Sequence, residues 1–122
     1  MKGGESTLEI EIKRIVEKFL EKSKNKDIYL ISHFDTDGIT SATIMIQTLK
    51  KLDKQFTVKI IKHLEDKFIE KLPKDKLILF LDLASNSLNQ LAETGIEDIF
   101  IIDHHEIIQQ PPKNVIILNP EL

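Results

Sequence analysis

Three short segments of this chain carry carboxylates and imidazoles, and each follows an apolar run. His33-Phe34-Asp35-Thr36-Asp37-Gly38 comes after Ile28-Tyr29-Leu30-Ile31, Asp82 after Leu77-Ile78-Leu79-Phe80-Leu81, and Asp103-His104-His105 after Ile99-Phe100-Ile101-Ile102. The chain has no cysteine, so any metal here must be held by oxygen and imidazole, a donor set that suits Mn²⁺ or Mg²⁺ over structural zinc. Asp35 and Asp37 stand two apart across a turn, where their carboxylates can diverge toward neighbouring cations, with Asp82 between them as a bridge. Two cations about 3.5–4 Å apart would activate a water and stabilise the leaving oxygen in phosphoester hydrolysis. Gly38 lets the backbone come close, and the helix N-terminus behind it favours anionic groups. Taken singly, Asp82 reads as a turn or helix cap and His104-His105 as a loop pair; it is their joint occurrence at three strand ends that points to metal.

Residues this far apart converge only if the apolar runs are parallel strands of one sheet, whose carboxyl ends share an edge. The rest of the pattern supplies the connections. Leu8, Ile12, Ile15, Val16, Phe19 and Leu20 recur at helical spacing, with Ser6 or Thr7 as cap and Glu9 completing a capping box with Ser6. Tyr29 to Ser32 reads as a first strand, and Gly38 as the start of a helix with Ile39, Ala42, Ile46 and Leu49 on one face. Phe56 to Ile61 is a second strand and Leu64 to Leu72 a short helix stopped by Pro73. Lys76 to Leu83 is a third strand, Ser85 to Thr94 a helix closed by Gly95, Asp98 to Ile102 a fourth strand, and Val115 to Leu118 a fifth. The expected fold class is α/β, a mostly parallel sheet of about five strands with helices on both faces.

At 122 residues the chain is one domain or part of one. A hydrophobic share of 41% and a charged share of 30% describe a globular protein, and the apolar runs are too short to span a bilayer. No secretory leader is visible, which makes the cytoplasm the default location. The net charge of −3 argues against a broad basic surface as the main source of affinity for nucleic acid. His63 reads as a surface or partly buried histidine, the lysines from Lys50 to Lys54 as the solvated end of a helix, and the first helix as packed on the sheet.

His33-x-Asp35-x-Asp37-Gly38, Asp82 and Asp103-His104-His105 together resemble the DHH phosphoesterase superfamily. The short context Ile-Ser-His-Phe-Asp-Thr-Asp-Gly-Ile-Thr is similar to its RecJ branch. The pyrophosphatase and oligoribonuclease or cyclic-dinucleotide branches usually space the first histidine as H-x-x-x-D-x-D, which counts against them. The resemblance covers about residues 28 to 120 and implies a Rossmann-like, DHH-type core, with residues 1–27 as an N-terminal helix and linker. It implies that His33 and Asp35 ligate one cation, Asp37 and His104 the other, and that Asp82 bridges both. His105 would contact the scissile phosphate or orient the site, and Asp103 would hold the strand end and His104 from behind. The implied cofactor is Mn²⁺ or Mg²⁺, and the implied substrate single-stranded DNA or RNA. A helix ahead of the first motif looks like the archaeal RecJ-like proteins, some of which associate with the replication factor GINS.

The family completes its second metal site with an aspartate well downstream of the DHH motif, and no aspartate follows Asp103 here. The substrate-binding domain that RecJ-like enzymes place across the groove has no counterpart either. The expectation is therefore an incomplete domain, inactive or weak alone, whose parent is a single-strand exonuclease. Two rivals stand beside it: a small-substrate phosphodiesterase acting on oligoribonucleotides or cyclic dinucleotides, and a non-catalytic replisome scaffold related to RecJ. Retention of all three motifs disfavours the scaffold.

Overall fold

The computed structural model describes residues 7–103 and 110–118. Among these residues four helices, α1 (Thr7–Lys22), α2 (Thr36–Lys51), α3 (Asp66–Glu70) and α4 (Leu88–Ala92), accompany five strands, β1 (Ile28–His33), β2 (Phe56–Ile61), β3 (Leu77–Leu81), β4 (Ile99–Ile102) and β5 (Val115–Leu118). The strands form one sheet in the order β2-β1-β3-β4-β5, and every neighbouring pair is parallel. β3 is buried along its whole length. That burial explains why its sequence is an unbroken apolar run, whereas the edge strand β2 mixes Thr57 and Lys59 with its apolar residues.

Both faces are covered. On one, Ile15 of α1 and Leu49 of α2 join Ile28, Leu30, Leu77, Leu79, Leu81 and Phe100, and Phe19 meets Phe100 edge to face at 5.3 Å. On the other, Ile69 of α3 and Leu88 and Leu91 of α4 join Ile31, Ile78, Phe80, Ile99 and Ile101. The step from β1 to β2 runs one way along the sheet with its helix on the first face. The steps from β2 to β3 and from β3 to β4 run the other way with their helices on the second. Reversing both direction and face keeps one crossover hand for these three steps, as parallel sheets require. The chain therefore leaves β1 and β3, which are neighbours, in opposite directions, and a crevice opens beyond their carboxyl ends.

The structure departs from the sequence reading at element ends. α2 begins at Thr36, before Gly38, because Asp35 is its N-cap and the Asp35 carboxylate accepts from the Gly38 N–H. The helix expected over Leu64 to Leu72 shortens to α3, and that expected from Ser85 shortens to α4, which starts at Leu88. β3 stops at Leu81 because Asp82 and Ala84 both take positive φ, 62° and 85°. Thr7 is already helical, and Ser6 lies outside the described residues. α1 rests on the sheet through Ile15 and Phe19.

Candidate metal centre

The turn from β1 into α2 is held from three sides. Asp35 spends one carboxylate oxygen on the Gly38 N–H at 2.7 Å, and its other oxygen lies 2.8 Å from His33 Nδ1. The opposite nitrogen, His33 Nε2, lies 2.9 Å from the Lys62 carbonyl oxygen. Both partners can accept, an arrangement that favours the doubly protonated imidazole. The Asp35 hydrogen bond, aided by the Lys62 carbonyl, raises the His33 pKa above its usual 6.5. Beneath the turn, the buried Ser32 hydroxyl donates to the Gly38 carbonyl at 2.7 Å and approaches that of Leu81 at 3.4 Å. Gly38 lies so close to β1 that an added Cβ would fall 2.0 Å from the His33 carbonyl oxygen. The glycine is there for contact distance, which the sequence shows only as an Asp-Gly pair.

After β3 the chain turns through Asp82 to Ser87. A left-handed backbone at Asp82 is within the reach of aspartate; at Ala84 it costs about 1–2 kcal/mol, and such outliers gather at functional sites. Asp82 accepts from the Ser41 hydroxyl of α2 at 3.1 Å, which ties the β3 end to the helix behind the first motif. Asp103, at the end of β4, is buried at 2% exposure, as is Ser85 at 1%, and the Ser85 hydroxyl donates to the Asp103 carboxylate at 2.8 Å. Neither Ser41 nor Ser85 stands out in the sequence. A serine flanking an acidic motif carries no local mark of which carboxylate it will hold.

These pieces line one open crevice of about 470 Å³, bounded by His33, Asp35, Asp37, Lys62, His63 and Asp82, by the turn from Leu83 to Ser87, and by Asp103. The sequence-derived residues His33, Asp35, Asp37, Asp82 and Asp103 are thus brought to one place, and Gly38 supports them from below. His104 and His105 lie outside the described residues. Among the described residues no three histidine or acidic side chains stand ready as a cation cage. His33 in particular must give up one of its two ring-nitrogen contacts before that nitrogen can ligate. The donor set is nevertheless hard oxygen with imidazole, which fits Mn²⁺ or Mg²⁺.

Residues 27–122 match the family model of the DHH family, N-terminal domain. The chain belongs to the DHH family. DHH proteins are metal-dependent phosphoesterases and nucleases, and this one is RecJ-like. It is 27% identical over 113 residues to the single-stranded-DNA-specific exonuclease RecJ of Bacillus subtilis, covering 81% of this chain and 14% of that protein. It is 31% identical over 122 residues to an uncharacterised protein of Methanocaldococcus jannaschii, covering 92% of this chain and 28% of the relative. In fold it matches the RecJ of Thermus thermophilus in complex with Mn²⁺, with a TM-score of 0.66 and 24% identity over 89% of this chain and 17% of that one. The sugar isomerase domain of an RpiR transcription factor from Sphaerobacter thermophilus shares the fold at a TM-score of 0.60 and 15% identity, over 92% of this chain and 68% of that one. The DHH chain described here spans less than a third of the length of the curated relatives it matches. Among its described residues no helix is long and apolar enough to cross a membrane.

Proposed function

We propose that this DHH chain carries the metal-binding crevice of a RecJ-like exonuclease that hydrolyses phosphodiesters of single-stranded nucleic acid with Mn²⁺ or Mg²⁺ bound. The observation that supports it is the meeting of His33, Asp35, Asp37, Asp82 and Asp103, from three strand ends, around one crevice. In this reading His33 and Asp35 hold one cation, Asp37 and His104 the other, and Asp82 serves both. Bound there, the cations supply an acidified water and neutralise charge on the phosphate.

The protein's own part is positional. Asp35 is fixed by the Gly38 N–H, and Ser41 aims Asp82. Asp103, held by Ser85, steadies the segment that leads to His104, and His105 contacts the scissile phosphate or orients the site. With a net charge of −3, the grip on a polyanion comes from the bound cations more than from a broad basic surface.

The test is digestion of end-labelled oligonucleotides with Mn²⁺, single-stranded against duplex, by the whole protein and by its Asp82→Asn variant. Stepwise shortening of the single strand alone, abolished in the variant, is expected. Hydrolysis of cyclic dinucleotides or dinucleotides with no action on longer strands would replace this reading with a small-substrate phosphodiesterase.

A further inference from the structure

Phe34 sits between two of the crevice residues, His33 and Asp35, yet it is 57% exposed. A lone exposed aromatic is ordinary; this one is not placed at random. Its N–H donates to the Ile61 carbonyl at 2.8 Å, and the neighbouring His33 ring reaches the Lys62 carbonyl, so the turn that carries Phe34 is fastened to the end of β2. From that strand end the Lys62 ammonium lies over the Phe34 ring, 5.8 Å from its centre, at the outer limit of a cation–π contact.

Lys62 and His63 also form a divide. On one side lies the acidic crevice, and on the other a second depression of about 430 Å³ bounded by Ile61, Lys62, His63, Glu65 and Phe68. Both volumes fall in the range of ligand pockets, about 300–1,000 Å³. A strand leaving the crevice past β2 crosses this divide. Outside the part of the crevice that the cations would neutralise, the charges suit a backbone phosphate at this divide. Asp35, Asp37, Asp82 and Asp103 surround the crevice, and Lys62 is the lysine on its wall.

We propose that Phe34, Lys62 and His63 form a nucleotide-binding step at the mouth of the crevice, in which the Phe34 ring stacks a nucleobase while Lys62, flanked by His63, pairs with an adjoining phosphate. The step rests on the reading of the crevice as a single-strand site and names how that strand is gripped. Stacking on an aromatic ring tolerates any base, since every base offers a π-face, and a base is open to stacking only when unpaired. The step therefore favours single strands without reading their sequence.

The experiment uses the whole protein with Ca²⁺ in place of Mn²⁺ and compares two probes by fluorescence anisotropy, a deoxyadenosine oligomer and an oligomer of the same length made of abasic units. Phe34→Leu should weaken binding of the adenosine oligomer roughly ten-fold more than it weakens binding of the abasic one, and Phe34→Trp should restore the difference. Lys62→Ala should weaken both alike and reduce the slope of log affinity against log salt by roughly 0.7, the share of one phosphate contact on a single strand. Equal loss on both probes with Phe34→Leu, or none on either, overturns the stacking step. An unchanged salt slope with Lys62→Ala overturns the phosphate contact. Wild-type cleavage of either oligomer on adding Mn²⁺ is scored separately, so failure of the hydrolytic reading is distinguishable from failure of the step.

Discussion

Gly38→Ala should destabilise this protein although it replaces a helical glycine, a change that ordinarily gains about 1 kcal/mol. The new Cβ would lie 2.0 Å from the His33 carbonyl oxygen, 2.8 Å from its carbon and 3.0 Å from Asp35 Oδ1. Two of these are backbone atoms of β1 that cannot turn aside. Reaching ordinary contact at 3.4 Å requires α2 to back away from β1 by about 1.4 Å, a gap that opens the Ser32–Gly38 hydrogen bond and the Asp35 cap together. Overpacking costs about 1–3 kcal/mol, a lost cap about 1 and a hydrogen bond about 1, so after the helix gain the net loss is about 3 kcal/mol. Urea denaturation followed by circular dichroism measures it, with Gly95→Ala as the comparison. Gly95 has φ +79° but open space around a Cβ, so that change should cost only the left-handed strain of about 1–2 kcal/mol. If Gly38→Ala is as stable as the wild type, or less harmful than Gly95→Ala, the close approach of α2 to β1 does not constrain the first motif as argued.

Ser85→Ala removes one hydrogen bond from the buried Asp103 carboxylate and should cost about 1–3 kcal/mol in the same assay, whereas a loss under about 0.5 kcal/mol, the range of a neutral surface change, would show that Ser85 does not support Asp103. Lys26 joins the loop before β1 to Asp98 at 2.9 Å and Glu97 at 3.3 Å, and Lys26→Met should cost up to about 1 kcal/mol. The Asp98 hydrogen bond raises the Lys26 pKa above 10.5. That contribution is therefore complete at neutral pH and fades as the pH climbs past 10.5 through the raised value; a deficit in the variant that persists unchanged at strongly alkaline pH would contradict it. His33 must be neutral to ligate and Asp35 raises its pKa above 6.5, so Mn²⁺ affinity by calorimetry should rise with pH through that raised value and release a proton on binding. An affinity flat across this range would remove His33 from the ligand set.

β1, β3, β4 and β5 were legible as apolar runs of four or five residues bounded by polar turns, which is what a doubly covered parallel sheet demands, as β3 shows by being buried throughout, and the edge strand β2 was legible by its β-branched residues. The gathering of three strand ends followed from parallel pairing alone. What escaped is set by tertiary partners. The start of α2 depends on which aspartate caps it, and Asp35 and Asp37 are equivalent as sequence until the Gly38 N–H selects one. The stretch from Asp82 to Ser87 reads as the end of a strand running to Leu83 and the start of a helix at Ser85, but Ser85 is held by Asp103 and the backbone turns left-handed at Asp82 and Ala84 without a glycine to announce it. His63 reads correctly as a surface residue; that this surface is the crevice wall comes only from the β1–β2 register, which sets His33 opposite Ile61.

The most direct measurement is anomalous diffraction at the manganese edge from crystals of the protein grown with Mn²⁺. Manganese is expected in the crevice between the β1 and β3 ends, with Asp82 among its ligands and the Asp82–Ser41 hydrogen bond kept or exchanged for the metal. Manganese found only elsewhere, or a crevice that stays empty at saturating Mn²⁺ with His33 still bonded to Asp35 and Lys62, would contradict it.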